Sequence, residues 1–201
     1  MMIENQTHAK VEIAAFQQEK EGANCCGDDY VTVETDSYFL CALADGLGSG
    51  EPAYRSSSVA MDMVRKYHDQ SIETMLHQCN RALFHERGVV ITILKVDFAF
   101  NEIIYGNIGN VETYLFNQDG VMNRPMPMSG YLSGRPFKYR MQQYPIEQGT
   151  HFVMHSDGIK FSKSDREKMK HAGSPRTPIQ YFAEKAQEQN DDITVVVGHI
   201  T

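Results

Sequence analysis

Tyr38-Phe39-Leu40-Cys41-Ala42-Leu43-Ala44-Asp45-Gly46-Leu47-Gly48-Ser49-Gly50 is an apolar run that ends on a carboxylate and then on glycines at alternate positions. Residues 38–44 predict a buried strand. A helical pattern begins near Glu51. Gly46, without a Cβ, lets a backbone carbonyl approach a bound group closely. A helix N-terminus just beyond it favours an anion. Taken alone, this is an ordinary strand–turn–helix connection. Two more acids are placed in the same way. Asp157 ends the apolar residues 151–155 and precedes Gly158, and Asp191-Asp192 opens the apolar residues 193–197. A further acid, Asp28, sits in the turn Gly27-Asp28-Asp29.

Working outward, residues 10–16 and 30–34 predict strands before the central run. The short turn Thr35-Asp36-Ser37 makes the last two of these strands an antiparallel meander, which carries Asp28 and Asp45 toward one region. Two helices follow. Val59, Met61, Met63, Val64 and Tyr67 recur at helical spacing over 53–69, and Ser71 caps a second helix with Ile72, Leu76, Cys79 and Leu83 on one face. Strands are then predicted over 88–98, 102–106 and 111–116, with a hairpin turn at Asn117-Gln118-Asp119-Gly120. Residues 126–136 are irregular, 139–145 form another strand, and 147–149 turn the chain into 151–155. A charged helix capped by Ser162 runs to Gly173. A second helix opens at Thr177-Pro178, and the last strand runs to His199. Consecutive strands argue against a doubly wound parallel sheet. The expected fold is α+β: two antiparallel sheets packed together with helix pairs outside, a four-layer αββα sandwich forming a single domain over 1–201.

Composition narrows the function. The 201 residues carry a net charge of −7, which argues against nucleic acid or an anionic membrane as the main partner. No apolar run approaches a membrane span. The N-terminal residues lack the basic and apolar regions of a secretory signal, so a cytoplasmic location is expected. Cys25, Cys26, Cys41 and Cys79 show no zinc-binding spacing.

Several carboxylates gathered at one edge of a sandwich repel one another, and a pair of divalent cations is the usual compensation. All-oxygen ligands suit Mg²⁺ or Mn²⁺. Two such ions side by side serve in-line displacement at phosphorus, which points to phosphate-ester hydrolysis. The three Asp motifs, at 44–50, 156–159 and 191–197, resemble the metal-binding motifs of PPM-type (protein phosphatase 2C-like) serine/threonine phosphatases. Cys26-Gly27-Asp28-Asp29-Tyr30 resembles the N-terminal acidic motif of the bacterial sporulation and stress branch, and Gly106-Asn107-Ile108-Gly109 resembles a mid-chain strand–turn motif.

The resemblance implies two Mn²⁺ or Mg²⁺ ions. Asp45 would bridge them and the Gly46 carbonyl would bind one. Asp157 and Asp191 would complete the shell of the second ion, and Asp28 would hold the other ion directly or through water. Asp29 is the alternative to Asp28, and Asp192 the alternative to Asp191. Asp45, Asp157 and Asp191 are thereby the catalytic set. The implied substrates are phosphorylated STAS-domain proteins of the stressosome, whose dephosphorylation resets the general stress response.

Some family features are missing. The phosphate-gripping Arg of many members has no counterpart, since the first Arg here is Arg55, and Leu47 stands where many members have His. The chain is also short for a substantial flap, so an open site is expected. Two rival readings are a non-catalytic phosphoprotein scaffold and a small-molecule phosphomonoesterase. The basic residues Lys160, Lys163, Arg166, Lys168, Lys170 and Arg176, with Asp165 and Glu167 interleaved, read as a solvated helix; a substrate-docking patch is the alternative.

Overall fold

Both faces of the strand that ends at Asp45 are covered, which is why its sequence lacks polar alternation. The computed structural model describes residues 2–147, 149–170 and 172–201. In chain order the strands are β1 (Met2–Thr7), β2 (Val11–Gln18), β3 (Asp28–Glu34), β4 (Tyr38–Gly46), β5 (Val89–Asp97), β6 (Glu102–Ile108), β7 (Glu112–Phe116), β8 (Met122–Asn123), β9 (Arg140–Pro145), β10 (His151–His155) and β11 (Ile193–Ile200). The helices are α1 (Glu51–Tyr67), α2 (Ile72–Ala82), α3 (Lys163–Lys170) and α4 (Arg176–Ala186). One sheet has the order β1-β2-β11-β10-β7-β8 and the other β3-β4-β5-β6-β9. The pairings are antiparallel, as expected.

Alternate residues of β4 serve two cores. Phe39, Cys41 and Leu43 face the other sheet and meet Ile13, Leu94, Phe152 and Met154. Leu40, Ala42 and Ala44 face the first helix pair and meet Ala60, Met61, Val64 and Leu76. On the far side, Phe16, Val153, Val195 and Val197 pack on Met169, Ile179 and Phe182 of α3 and α4. Leu43 is fully buried. Truncating such a leucine to alanine costs about 2–5 kcal/mol, because the cavity does not fully collapse.

Local signals set the element ends. The Ser71 hydroxyl accepts the Thr74 N–H at 3.2 Å at the start of α2. At α3 the Ser162 hydroxyl accepts the Asp165 N–H at 3.2 Å while the Asp165 carboxylate accepts the Ser162 N–H at 2.5 Å. This is a reciprocal cap with Asp in place of the usual Glu.

Three expectations need revision. β1 was unforeseen, because it is an edge strand with no fully buried residue and hence no apolar period. Within the irregular 126–136 stretch, Leu132 is buried and bridges Val89 through backbone hydrogen bonds of 2.8 and 3.0 Å. α3 is described to Lys170, short of the expected end at Gly173; position 171 lies outside the described residues, as does position 148 of the expected 147–149 turn. No described helix is long and apolar enough to cross a membrane.

Candidate metal centre

The inner ends of β3 and β4, the loop after β10 and the start of β11 meet around a depression of about 340 Å³. Asp28, Asp45, Gly46, Asp157, Asp191 and Asp192 all line it. Asp28 and Asp45 stand directly opposite each other in the β3–β4 register. Neighbouring strand residues face opposite ways, so only one acid of the Asp28-Asp29 pair can look into this depression. Asp29 instead lines a separate hollow with Arg65, and its carboxylate accepts the Tyr30 N–H at 2.8 Å. Asp29 thus lies away from the depression that Asp28 lines.

Two glycines allow the segments to close in. A Cβ on Gly46 would stand 2.1 Å from the Ala53 carbonyl oxygen of α1, and one on Gly158 would stand 2.2 Å from the Asp192 carbonyl oxygen. The expected anion site at the helix N-terminus does not form. Pro52 has no N–H, the Ala53 and Tyr54 N–H groups donate to the Gly50 carbonyl, and Glu51 puts a negative charge in the first turn.

The acids are electrostatically unhappy without counter-charge. Asp28 is 3% exposed, and neither of its carboxylate oxygens has a hydrogen-bond partner. Burial pushes its carboxyl well above the usual carboxylate range; the nearby Ser156 and Thr194 hydroxyls lower it, while Asp192 and Asp157 raise it further. Burial likewise pushes Asp45 upward, and the charges of Asp28, Asp157, Asp192 and Asp191 add to the effect. Asp157 is exposed and accepts a hydrogen bond from the Asn110 amide at 2.8 Å. Asp191 and Asp192 differ. Asp192 is 8% exposed and accepts the Lys20 N–H at 2.9 Å, whereas the Asp191 side chain is open to solvent and lies 3.7 Å from the Lys20 ammonium.

The stage II sporulation protein E (SpoIIE) family model matches residues 35–201. The chain belongs to the SpoIIE family. It is also 32% identical over 200 residues to the phosphoserine phosphatase RsbX of Bacillus subtilis (strain 168), covering all of both chains. A crystal structure of RsbX in complex with magnesium superposes with a TM-score of 0.91 at 33% identity, again over the full length of both. A structure described as the bacterial stressosome, a modular system adapted to control secondary messenger signalling, shares the fold. Its TM-score is 0.86 at 22% identity, over 94% of this chain and 99% of that one. The chain is a PP2C-type phosphatase in fold and family, and the αββα expectation holds.

The residues present in this SpoIIE-family site fit divalent cations. A buried carboxylate with two unpartnered oxygens, close to Asp192 and Asp157 whose charges raise its proton affinity, is the kind of donor that suits a hard cation. Among the described residues, no three His, Cys, Asp or Glu side chains are drawn together into a closed ligand cluster.

Sequence reasoning passed over Lys20 and Asn110, which both line the depression. Asn110 directly follows the Gly106–Gly109 motif, so that motif was its signal; Lys20 lies in a polar connection with no motif at all. The two strand histidines are structural. His151 and His155 are 4% and 3% exposed, and His151 Nε2 is 2.5 Å from the Met169 carbonyl. Cys26 is inert, since burial, with Asp28 nearby, pushes its thiol up to about 12.

Proposed function

We propose that the chain is a metal-dependent phosphoserine and phosphothreonine protein phosphatase acting on phosphorylated STAS-domain proteins of the stressosome, resetting the general stress response. The carrying observation is the depression in which Asp28 and Asp45 face each other across β3 and β4, joined by Asp157 and Asp191 from distant segments. The full-length likeness to a phosphoserine phosphatase supports the reaction class, and the fold-level likeness to a stressosome structure supports the partner class. Residues 1–201 act as one catalytic domain. The reading puts the chain in the cytoplasm, where reduced thiols such as Cys41 and Cys79 persist.

In this reading two Mn²⁺ or Mg²⁺ ions, when bound, withdraw charge from the phosphoryl group and acidify water. Asp45 and the Gly46 carbonyl would help to hold the two ions. Asp157 and Asp191 serve the second, and Asp28 serves the other. Asn110 fixes the orientation of Asp157. The Lys20 ammonium, at the rim beside Asp191, draws the anionic phosphate inward and takes up the task of the missing Arg. Leu47 packs against the core at this wall and offers no proton, so the leaving group takes its proton from water. The open depression admits a side chain carried on a folded protein.

The test is phosphate release from a phosphorylated stressosome STAS protein with Mn²⁺ or Mg²⁺ and with excess EDTA. Metal-dependent release is expected. Release from a generic aryl phosphate but not from the STAS protein would discard the substrate, and release from neither would discard the reaction.

A further inference from the structure

A second hollow, of about 500 Å³, adjoins the metal depression and shares Asn110 and Asp157 with it as a common wall. Its charge is of the opposite kind. Asp28, Asp45, Asp157, Asp191 and Asp192 face only Lys20 in the first hollow, whereas Arg124, Lys160 and Arg166 face Glu112 and Asp157 in the second. Three separate segments supply the cations: the residue after β8, the loop after β10, and α3. A solvated helix face would not gather them in this way.

The internal pairing leaves charge to spare. Glu112 is fully engaged, accepting from the Tyr114 hydroxyl at 2.5 Å and from Arg124 at 2.7 Å. Among the described residues neither Lys160 nor Arg166 has an acidic partner, and Arg166 spends only its Nε, on the Ser162 carbonyl at 3.3 Å. Two others of the basic run are committed elsewhere: Lys170 pairs with Glu167 at 2.8 Å and Lys168 sits 3.4 Å over the Tyr181 ring. His155 also lines the hollow; its buried Nε2 makes no hydrogen bond and lies 3.9 Å from Glu112.

We infer that this hollow is a substrate subsite that receives an anionic side chain flanking the phosphorylated residue, a carboxylate or a second phosphate, with Lys160 and Arg166 as its specificity-determining residues. The inference rests on the phosphatase reading, because the shared wall at Asp157 puts the subsite next to the phosphoryl position. A chain of net charge −7 repels an acidic partner at long range, so a local cationic pocket beside the reaction centre decides which phosphosites are accepted.

The experiment uses two ten-residue phosphoserine peptides that differ only in three flanking positions, Glu in one and Gln in the other, with the flank placed on either side in turn. Turnover is followed with Mn²⁺, and binding by the anisotropy of the fluorescein-labelled peptides. The wild-type chain should prefer the Glu peptide by about fivefold on one of the two sides, the scale of two partly exposed charge pairs. In the double variant Lys160→Ala/Arg166→Ala the ratio should fall to near one. In Arg166→Glu it should invert when the Glu positions are replaced by Lys. A wild-type ratio near one on both sides, or a ratio unchanged in both variants, overturns the subsite. If neither peptide is hydrolysed, the ratio of binding constants decides the subsite, and release from the STAS protein and the aryl phosphate decides the phosphatase reading.

Discussion

Asp28 and Asp165 are both buried acids, 3% and 0% exposed, yet their surroundings push them in opposite directions. Asp165, at the junction of α3 and α4, accepts from Lys185 at 2.5 Å, the Tyr181 hydroxyl at 2.7 Å and the Ser162 N–H at 2.5 Å. Burial alone would raise its carboxyl, but these hydrogen bonds outweigh it and hold the group at about 2. Asp28 has no hydrogen-bond partner on either oxygen and is pushed upward by burial and by its neighbours. The first is a finished piece of structure. The second is left without compensation, and a folded chain keeps such a group only when something that binds offsets its cost, which is the part that divalent cations take in the proposed function.

The contrast breaks most sharply by substitution. Asp45→Asn should lower turnover by about a thousandfold, roughly 4 kcal/mol of barrier, while the metal-free protein keeps or gains stability. The checks are steady-state hydrolysis with Mn²⁺ and thermal melting in EDTA. A thousandfold loss accompanied by a collapsed melting temperature would make Asp45 structural. Asp165→Ala should do the reverse. It takes the carboxylate partner from Lys185, leaving only the Lys160 carbonyl among the described residues, and removes the side-chain half of the α3 cap, and should cost about 3 kcal/mol by urea denaturation, with kcat per folded molecule changed far less than in Asp45→Asn.

These two acids also mark what the sequence reveals. Asp45 was legible because it ends a long apolar run and precedes glycines, and because Asp157 and Asp191 repeat the pattern. The sandwich was legible for the same reason: unbroken apolar strands need cover on both faces. Asp165 was read only as a charge interleaved in a basic helix, since its partners Tyr181 and Lys185 come from another helix. Lys20 and the gathering of Arg124 with Lys160 and Arg166 were equally hidden, because each depends on how loops from separate strands meet. β1 gave no signal, because an edge strand with two wet faces has no period to read.

A smaller effect separates Asp191 from Asp192. Asp192 uses its carboxylate to hold the Lys20 N–H, and an Asn oxygen can do the same. The Asp191 carboxylate is open to solvent, with one oxygen accepting the Asp192 N–H at 3.0 Å and lying 3.7 Å from the Lys20 ammonium. Asp191→Asn should weaken Mn²⁺ activation by about tenfold to a hundredfold, whereas Asp192→Asn should change it by less than about tenfold. Titration of activity against Mn²⁺ distinguishes them, and the opposite ranking would transfer the ligand role to Asp192.

The smallest effect is on stability against pH. Folding raises the proton affinity of Asp28 and Asp45, so the metal-free folded state binds more protons than the unfolded chain between weakly alkaline pH and the ordinary carboxylate range. In that window stability must rise as pH falls. This is the opposite of what Asp165 contributes, because its stabilisation is present above the ordinary carboxylate range and is lost only as pH approaches about 2. In EDTA the melting temperature should therefore be higher at pH 6 than at pH 8.5 by a few degrees, about 1–2 kcal/mol for a chain of this size. Saturating Mg²⁺ should shrink the difference, since the cations then neutralise the acids at both pH values. Asp28→Asn should shrink it in EDTA as well. A metal-free protein that is more stable at pH 8.5 would mean that Asp28 and Asp45 are already satisfied without cations, and the distinction between the two buried acids would disappear.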